Sequence, residues 1–212
     1  MKPLTNPDAA ADWDRRYTEH DLLFSAEPTS ILVELATSLP PGRALDLGAG
    51  EGRNTLWLAQ QGWRVTAVDF SRAGLAKAER RARESGLEIS CVAADLREHR
   101  PAAQAFDLVL IAFVHTLPAQ RSAIFRRAAD AVAAGGHLLA VGRDLSDCGS
   151  GYGGPSDPQR RYTRERLAGA FPGLEELRRA AVRRPPRPDE EPPGPTDTVV
   201  WCRRPPALSP QR

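Results

Sequence analysis

Four residues stand at a spacing that could do chemistry: the acid Asp46 and three glycines at alternate positions, Gly48, Gly50 and Gly52. They lie between a short apolar run, Ala44 to Leu47, and a helical pattern that starts near Asn54 and continues through Leu56, Trp57, Leu58 and Ala59. Glycine accepts positive φ and lets a ligand approach the backbone, which a sharp strand-to-helix turn at a binding site requires. Free N–H groups at the helix start would then face that ligand. Such a turn can also do no more than join a strand to a helix, but a downstream acid at the right place favours the binding use. That acid is Asp69, which ends a second apolar run, Val65 to Val68, after a turn at Gln61-Gly62. A carboxylate at the tip of the neighbouring strand can accept both hydroxyls of a ribose, and can equally cap the helix that opens at Ser71. Phe70, next in the chain, is placed to lie against a nucleoside base.

The remaining pattern supplies the elements that must hold these residues. Trp13 and Tyr17 are four apart and share one helical face, either packed on the core or turned to a ligand. Thr29 or Ser30 caps a helix over Ile31–Leu39, ended by Pro40-Pro41-Gly42. Ser71 to Ser85 reads as a helix closed by Gly86, and Leu87 to Ala93 as a third strand followed by Ala94-Asp95-Leu96. Phe106 to Phe113 is the most apolar run and reads as a central fourth strand. Its end, Ala112 to His115, faces ligands, because ligands bind at the carboxyl ends of such strands. His115 is the candidate base there, with packing or orientation as its plainer use.

Pro118 to Ala134 is the next helix, and Gly135-Gly136 leads into a fifth strand, His137 to Val141. Residues 144–160 are glycine-rich without a periodic apolar pattern, which suits a substrate lid or a plain loop. Thr163 caps a helix to Phe171, Leu174 to Val182 is a sixth strand and Thr196 to Cys202 a seventh. An extended proline-acid link, 185–195, joins those strands, and 205–212 reads as a disordered tail.

Asp46-x-Gly48-x-Gly50-x-Gly52 followed by Val68-Asp69 resembles the first motifs of class I S-adenosylmethionine-dependent methyltransferases. The longer stretch Asp46-Leu47-Gly48-Ala49-Gly50-Glu51-Gly52-Arg53-Asn54, with Leu58-Ala59 and Gly62, is similar to the tellurite-resistance/thiopurine group of small-molecule methyltransferases. The resemblance runs from about Trp13 to Arg203 and implies an α/β, Rossmann-like doubly wound fold. Its sheet would be seven-stranded and mostly parallel, with one antiparallel C-terminal strand, in a single domain over 1–204 with a helical cover at 1–40. It also implies S-adenosylmethionine as cofactor, held by Asp46, Gly48, Ala49, Gly50, Arg53, Asn54, Asp69 and Phe70. By the same resemblance, Trp13, Arg16 and Tyr17 fold over the cofactor, Asp95 takes the adenine amino group, the Leu96 N–H reads the ring, and Ala112 and Phe113 border the site. The Asp95 position can also be a turn cap.

In-line methyl transfer needs alignment and exclusion of water more than an elaborate catalytic set. Two alternatives remain at this stage. A dinucleotide-dependent oxidoreductase has its third glycine one residue later than Gly52 stands. A non-catalytic binding module is compatible with every motif named. The acceptor, whether oxygen, nitrogen, sulfur, selenium or tellurium, is not readable.

Composition narrows the rest. A net charge of +2 gives no argument for nucleic acid. No apolar segment has the length of a membrane span, and Met1 to Ala11 shows no secretory pattern. Cys91, Cys148 and Cys202 are odd in number and far apart, with neither metal-ligand nor disulfide spacing, which suits a reducing cytoplasm. The expected protein is cytoplasmic, a monomer or homodimer, without metal, and the resemblance implies a small-molecule partner.

Overall fold

The computed structural model describes residues 6–185 and 193–207. The chain divides into two compact units, Met1–Arg100 and Pro101–Arg212.

The first unit contains α1 (Ala10–Glu19), α2 (Ser30–Ala36), β1 (Arg43–Leu47), α3 (Arg53–Gln60), β2 (Arg64–Asp69), α4 (Arg72–Glu84) and β3 (Ile89–Ala93). Its strands are parallel, with Leu47 level with Val68 and Asp69 level with Ala93. The carboxyl ends of all three strands therefore come together, and with them the glycine turn, Asp69 and Asp95. Burial of Leu32, Leu45, Leu58, Val65, Ala67, Val68, Leu75 and Ala78 makes the core. Ser71 caps α4 by accepting from the Gly74 N–H at 3.1 Å.

The second unit contains β4 (Phe106–Ala112), α5 (Pro118–Ala131), β5 (Val132–Arg143), β6 (Glu175–Arg183) and β7 (Thr196–Arg203), with short 3₁₀ turns at Leu145–Asp147 and Pro158–Arg160. β4 and β5 are parallel, and β7 is antiparallel to both β5 and β6. Phe125 stacks on Phe171 at 4.8 Å and meets the edge of the fully buried Tyr162 at 6.0 Å. The strand order is β3-β2-β1 in the first unit and β4-β5-β7-β6 in the second. This is the seven-stranded, Rossmann-like α/β sheet, with β7 its one antiparallel strand.

Several expected boundaries move. α2 stops at Ala36, and β3 begins at Ile89. α5 ends at Ala131 because Val132 already pairs with Phe106, so β5 starts five residues before His137. The helix expected after Thr163 does not form. Thr163 does cap the segment, its Oγ1 accepting from Arg166 N at 3.1 Å, but only turns follow. Gly169 at φ +65° and Pro172-Gly173 leave no room for a second helical turn. Residues 186–192 of the proline-acid link and 208–212 of the tail lie outside the described residues.

Candidate cofactor site

The glycine turn is built from backbone conformations that other residues rarely adopt: Gly48, Gly50 and Gly52 have φ of 80°, 54° and 78°. Its N–H groups do not point at an open cradle. Gly48 N and Ala49 N donate to Val68 O at 2.8 and 3.1 Å, and Gly52 N donates to Ala49 O at 2.9 Å. Gly50 N donates to Asp69 Oδ2 at 2.8 Å, while Asp69 Oδ1 accepts from Ser71 N at 2.8 Å. Asp69 is thus the clasp of the turn. A Cβ on Gly50 would stand 2.5 Å from the Tyr17 hydroxyl, so the space beside this glycine belongs to a side chain of α1. A Cβ on Gly52 would meet Ala78 Cβ at 2.6 Å, so that glycine lets α4 pack closely.

Two carboxylates are buried at this turn. Asp46 Oδ2 accepts from Thr55 Oγ1 at 2.7 Å, and its Oδ1 is buried with no hydrogen-bond partner among the described residues. Burial pushes both the Asp46 and the Asp69 carboxyl up to about 6, against the opposing effect of their hydrogen bonds. Arg53, at the start of α3, offsets part of that cost at Asp46. Asn54 Oδ1 accepts from Thr29 N at 2.9 Å and fixes the start of α2.

The front segment is fastened to the turn at three places. Asp14 accepts from Ser71 Oγ and Ala73 N at 2.6 and 2.9 Å, which ties α1 to the start of α4. Glu51, between the second and third glycines, accepts from Leu23 N, Phe24 N and Lys77 Nζ at 3.0, 3.2 and 2.9 Å. Tyr17 is buried against Gly50 and Gly74. Burial raises its phenol well above the ordinary value, and the charges of Asp69 and Glu51 add to this. Trp13, Tyr17 and Phe24 form an aromatic triangle with centroids 5.7 to 6.4 Å apart, and the Arg16 guanidinium lies 5.3 Å from the Trp13 ring. Arg16 Nη2 is buried with no hydrogen-bond partner among the described residues. The sequence reading missed Asp14, Glu51 and Lys77. A buried acid between two glycines of a tight turn, in a chain with only two lysines, was the signal available.

At the tips of β2 and β3 lies a cavity of about 380 Å³ lined by Phe70, Arg72, Ala93, Ala94, Asp95 and Arg97 together with Asp8 to Ala10. Phe70 gives it an aromatic wall and Asp95 an acceptor, and Leu96 follows half-buried. These residues fit an adenosyl group in their chemistry: a flat apolar surface, a carboxylate for an amino group, and Asp69 one strand away. Among the described residues no group of three His, Cys, Asp or Glu could hold a metal, and no helix is long and apolar enough to cross a membrane.

Ala112, Phe113 and His115 belong to the second unit. Phe113 takes φ +60°, a strained value for an aromatic residue. Its N–H donates to Val141 O at 2.8 Å, and the Arg143 guanidinium sits 5.5 Å from its ring. His115 has both ring nitrogens engaged by backbone: Nδ1 with Arg160 O at 3.0 Å and Nε2 accepting from Arg143 N at 3.3 Å. That pairing fixes the proton on Nδ1. Burial, with smaller contributions from nearby arginines, lowers its pKa to about 4. This geometry leaves no ring nitrogen to take a proton from an acceptor. The glycine-rich segment is likewise tied down: Arg161 donates to Pro155 O, Gly153 O and Asp144 O at 2.8, 2.8 and 3.2 Å, and Asp144 accepts from Thr198 Oγ1 at 2.5 Å.

A family model described as "Methyltransferase domain" matches residues 44–136. Release factor glutamine methyltransferase of Bordetella pertussis is 38% identical over 96 residues, which cover 42% of this chain and 36% of that protein. Ubiquinone biosynthesis O-methyltransferase of Cronobacter sakazakii is 33% identical over 110 residues, 51% of this chain and 45% of that protein. The chain thus spans less than half the length of these curated relatives. TehB from Haemophilus influenzae is a structural neighbour with a TM-score of 0.67 at 18% identity, covering 90% of this chain and 66% of that one. At that identity the likeness shows the fold. Residues 44–136 thus match a methyltransferase-domain model, and the chain shares the fold of the solved neighbour.

Proposed function

We propose that the protein transfers the methyl group of S-adenosylmethionine to a small-molecule nucleophile by in-line displacement. The observation that carries this reading is the closed glycine turn. Gly48, Ala49, Gly50 and Gly52 all spend their N–H groups internally, which leaves none of these four to a dinucleotide pyrophosphate. What surrounds it is acidic, with Asp46, Asp69 and Glu51 all buried, an environment for a cationic ligand.

In this reading Asp69 accepts the ribose hydroxyls with the lone pairs that Gly50 and Ser71 leave free. Phe70 lies against the base, Asp95 meets its amino group, and Leu96 offers a backbone N–H. Trp13, Tyr17 and Phe24 close the front and exclude water, and Arg16 directs its unpartnered Nη2 to an anionic group. Bound S-adenosylmethionine supplies a methyl group activated on a sulfonium, so the residues need to align and shield more than to move protons. His115 is then a fastener of the turn after β4, with Ala112 and Phe113 as the ligand-facing end of that strand. A small-molecule acceptor agrees with the ubiquinone-pathway relative. The release-factor relative makes a protein acceptor the arm to test beside it.

Titration calorimetry with S-adenosylhomocysteine and with NADH tests the cofactor. Binding of S-adenosylhomocysteine alone is expected, and NADH binding alone would reject the reading. A labelled-methyl screen over thiols, amines, phenols and a release-factor fragment then separates a transferase from a silent binding module.

A further inference from the structure

The acceptor in the cavity is already in use. Asp95 Oδ1 accepts from Arg97 N at 2.8 Å and from Arg97 Nε at 2.9 Å. Asp95 Oδ2 accepts from Nε at 2.8 Å and also from Arg97 Nη2. A carboxylate offers about four acceptor positions, and three donors of one residue, with Nε shared between the oxygens, occupy both sides of it. The same Nη2 also donates to Asp8 O at 3.1 Å, so the guanidinium spans from the segment after β3 to the residue two before α1. Both anchors line the cavity. The Arg97 side chain is 37% exposed, so it has solvent to move into, and an exposed ion pair contributes little stability.

We propose that Arg97 is an internal stand-in for the amino group of the base: its N–H groups hold Asp95 until a 6-aminopurine displaces them. The inference rests on the cofactor reading above and gives it a gate. Entry of the base exchanges one donor for another on Asp95, and Arg97 swings out and releases Asp8. Because the exchanged pair is exposed, the latch is weak and biases the cavity toward closure without locking it.

The test compares wild type, Arg97→Ala and Arg100→Ala for binding S-adenosylhomocysteine and S-inosylhomocysteine, by calorimetry and stopped-flow fluorescence. Arg100 is an exposed arginine bonded to the Glu98 carbonyl, so its removal controls for net charge. Arg97→Ala should bind S-adenosylhomocysteine about fivefold tighter, the worth of an exposed pair, with most of the gain in the association rate. S-inosylhomocysteine carries an acceptor oxygen in place of the amino group. It should lose affinity in the same variant, since Arg97 is its donor. Arg100→Ala should leave both ligands unchanged. Unchanged or weaker S-adenosylhomocysteine binding by Arg97→Ala overturns the latch, as does an equal gain for both ligands. Failure of wild type and variant alike to bind either ligand overturns the latch and the cofactor reading beneath it.

Discussion

The two units hold their irregular segments by opposite chemistry. In the first, carboxylates accept from backbone N–H groups: Asp14 from Ala73, Glu51 from Leu23 and Phe24, Asp69 from Gly50 and Ser71. In the second, guanidiniums donate to backbone carbonyls: Arg121 to Gln159, Arg160 to His115, Arg166 to Pro158, Arg161 to three residues, and Arg204 to Val132 and Ala129. The division is a tendency with exceptions on both sides: Arg81, Arg97 and Arg100 donate to the carbonyls of Glu51, Asp8 and Glu98, and Asp144, Asp147 and Asp157 accept from Ser146 N, Thr196 N and Gln159 N. It still has a physical reason. A left-handed glycine turn points N–H groups inward and needs acceptors, whereas a proline- and glycine-rich segment without a helix leaves carbonyls without donors. The abundance of arginine is used here as a set of forked donors.

The comparison breaks most sharply at Gly50. A valine there must hold φ near +54° and displace the Tyr17 hydroxyl. Strain and overpacking together should cost about 3 kcal/mol or more, seen as a lower denaturant midpoint. A midpoint equal to wild type would mean that Tyr17 moves freely. The second-unit counterpart is Arg161→Ala, which leaves three carbonyls without their donor. It should cost about 3 kcal/mol, and Arg161→Lys should recover only part because an ammonium cannot fork. Full recovery by lysine would show that charge, not the fork, holds the segment. Asp69→Ala is smaller on stability. It should weaken S-adenosylhomocysteine binding by about 1–3 kcal/mol, the cost of an unpaired buried donor plus the lost ribose acceptor. Unchanged affinity would confine Asp69 to its clasp.

Much of this was legible before any coordinates. The alternation of apolar runs with helical patterns, the closing strand pair and the glycine spacing carry the fold, because each is local and periodic. The positions of Asp69, Phe70 and Asp95 follow from the rule that ligands sit at carboxyl strand ends. What stayed hidden depends on contacts distant in sequence. Nothing near Glu51 says that it reaches Leu23 and Lys77, and nothing near Arg97 says that it reaches Asp8. His115 read as a base because it follows an apolar strand, but its two nitrogens are committed to Arg143 and Arg160, far along the chain. The failed helix after Thr163 has a strong cap signal and a stop too close behind it.

The finest test of the comparison is pH, where the two units should pull in opposite directions. In the first, Asp46 and Asp69 have native values raised to about 6 from 3.8, chiefly by burial. The folded state then binds their protons more tightly than the unfolded chain. Their contribution to stability is full below 3.8 and is lost as pH rises through about 6. In the second, His115 is lowered to about 4 from 6.5, so the unfolded chain binds its proton more tightly. Its contribution is full above 6.5 and is lost as pH falls through about 4. Across pH 4 to 6, then, the acids favour the lower pH and the histidine the higher. Removing one group should expose the other's slope. Asp46→Asn keeps an oxygen for Thr55, and its stability should rise relative to wild type as pH increases through that window. His115→Gln should shift the balance the other way, its deficit against wild type growing from pH 4 to 6.5. Denaturant midpoints at half-unit steps, taken as variant minus wild type, cancel every group the pair of proteins shares. Parallel curves for Asp46→Asn would show that this carboxylate is hydrated in solution, and the acidic enclosure argued for the cofactor would lose one of its three buried members.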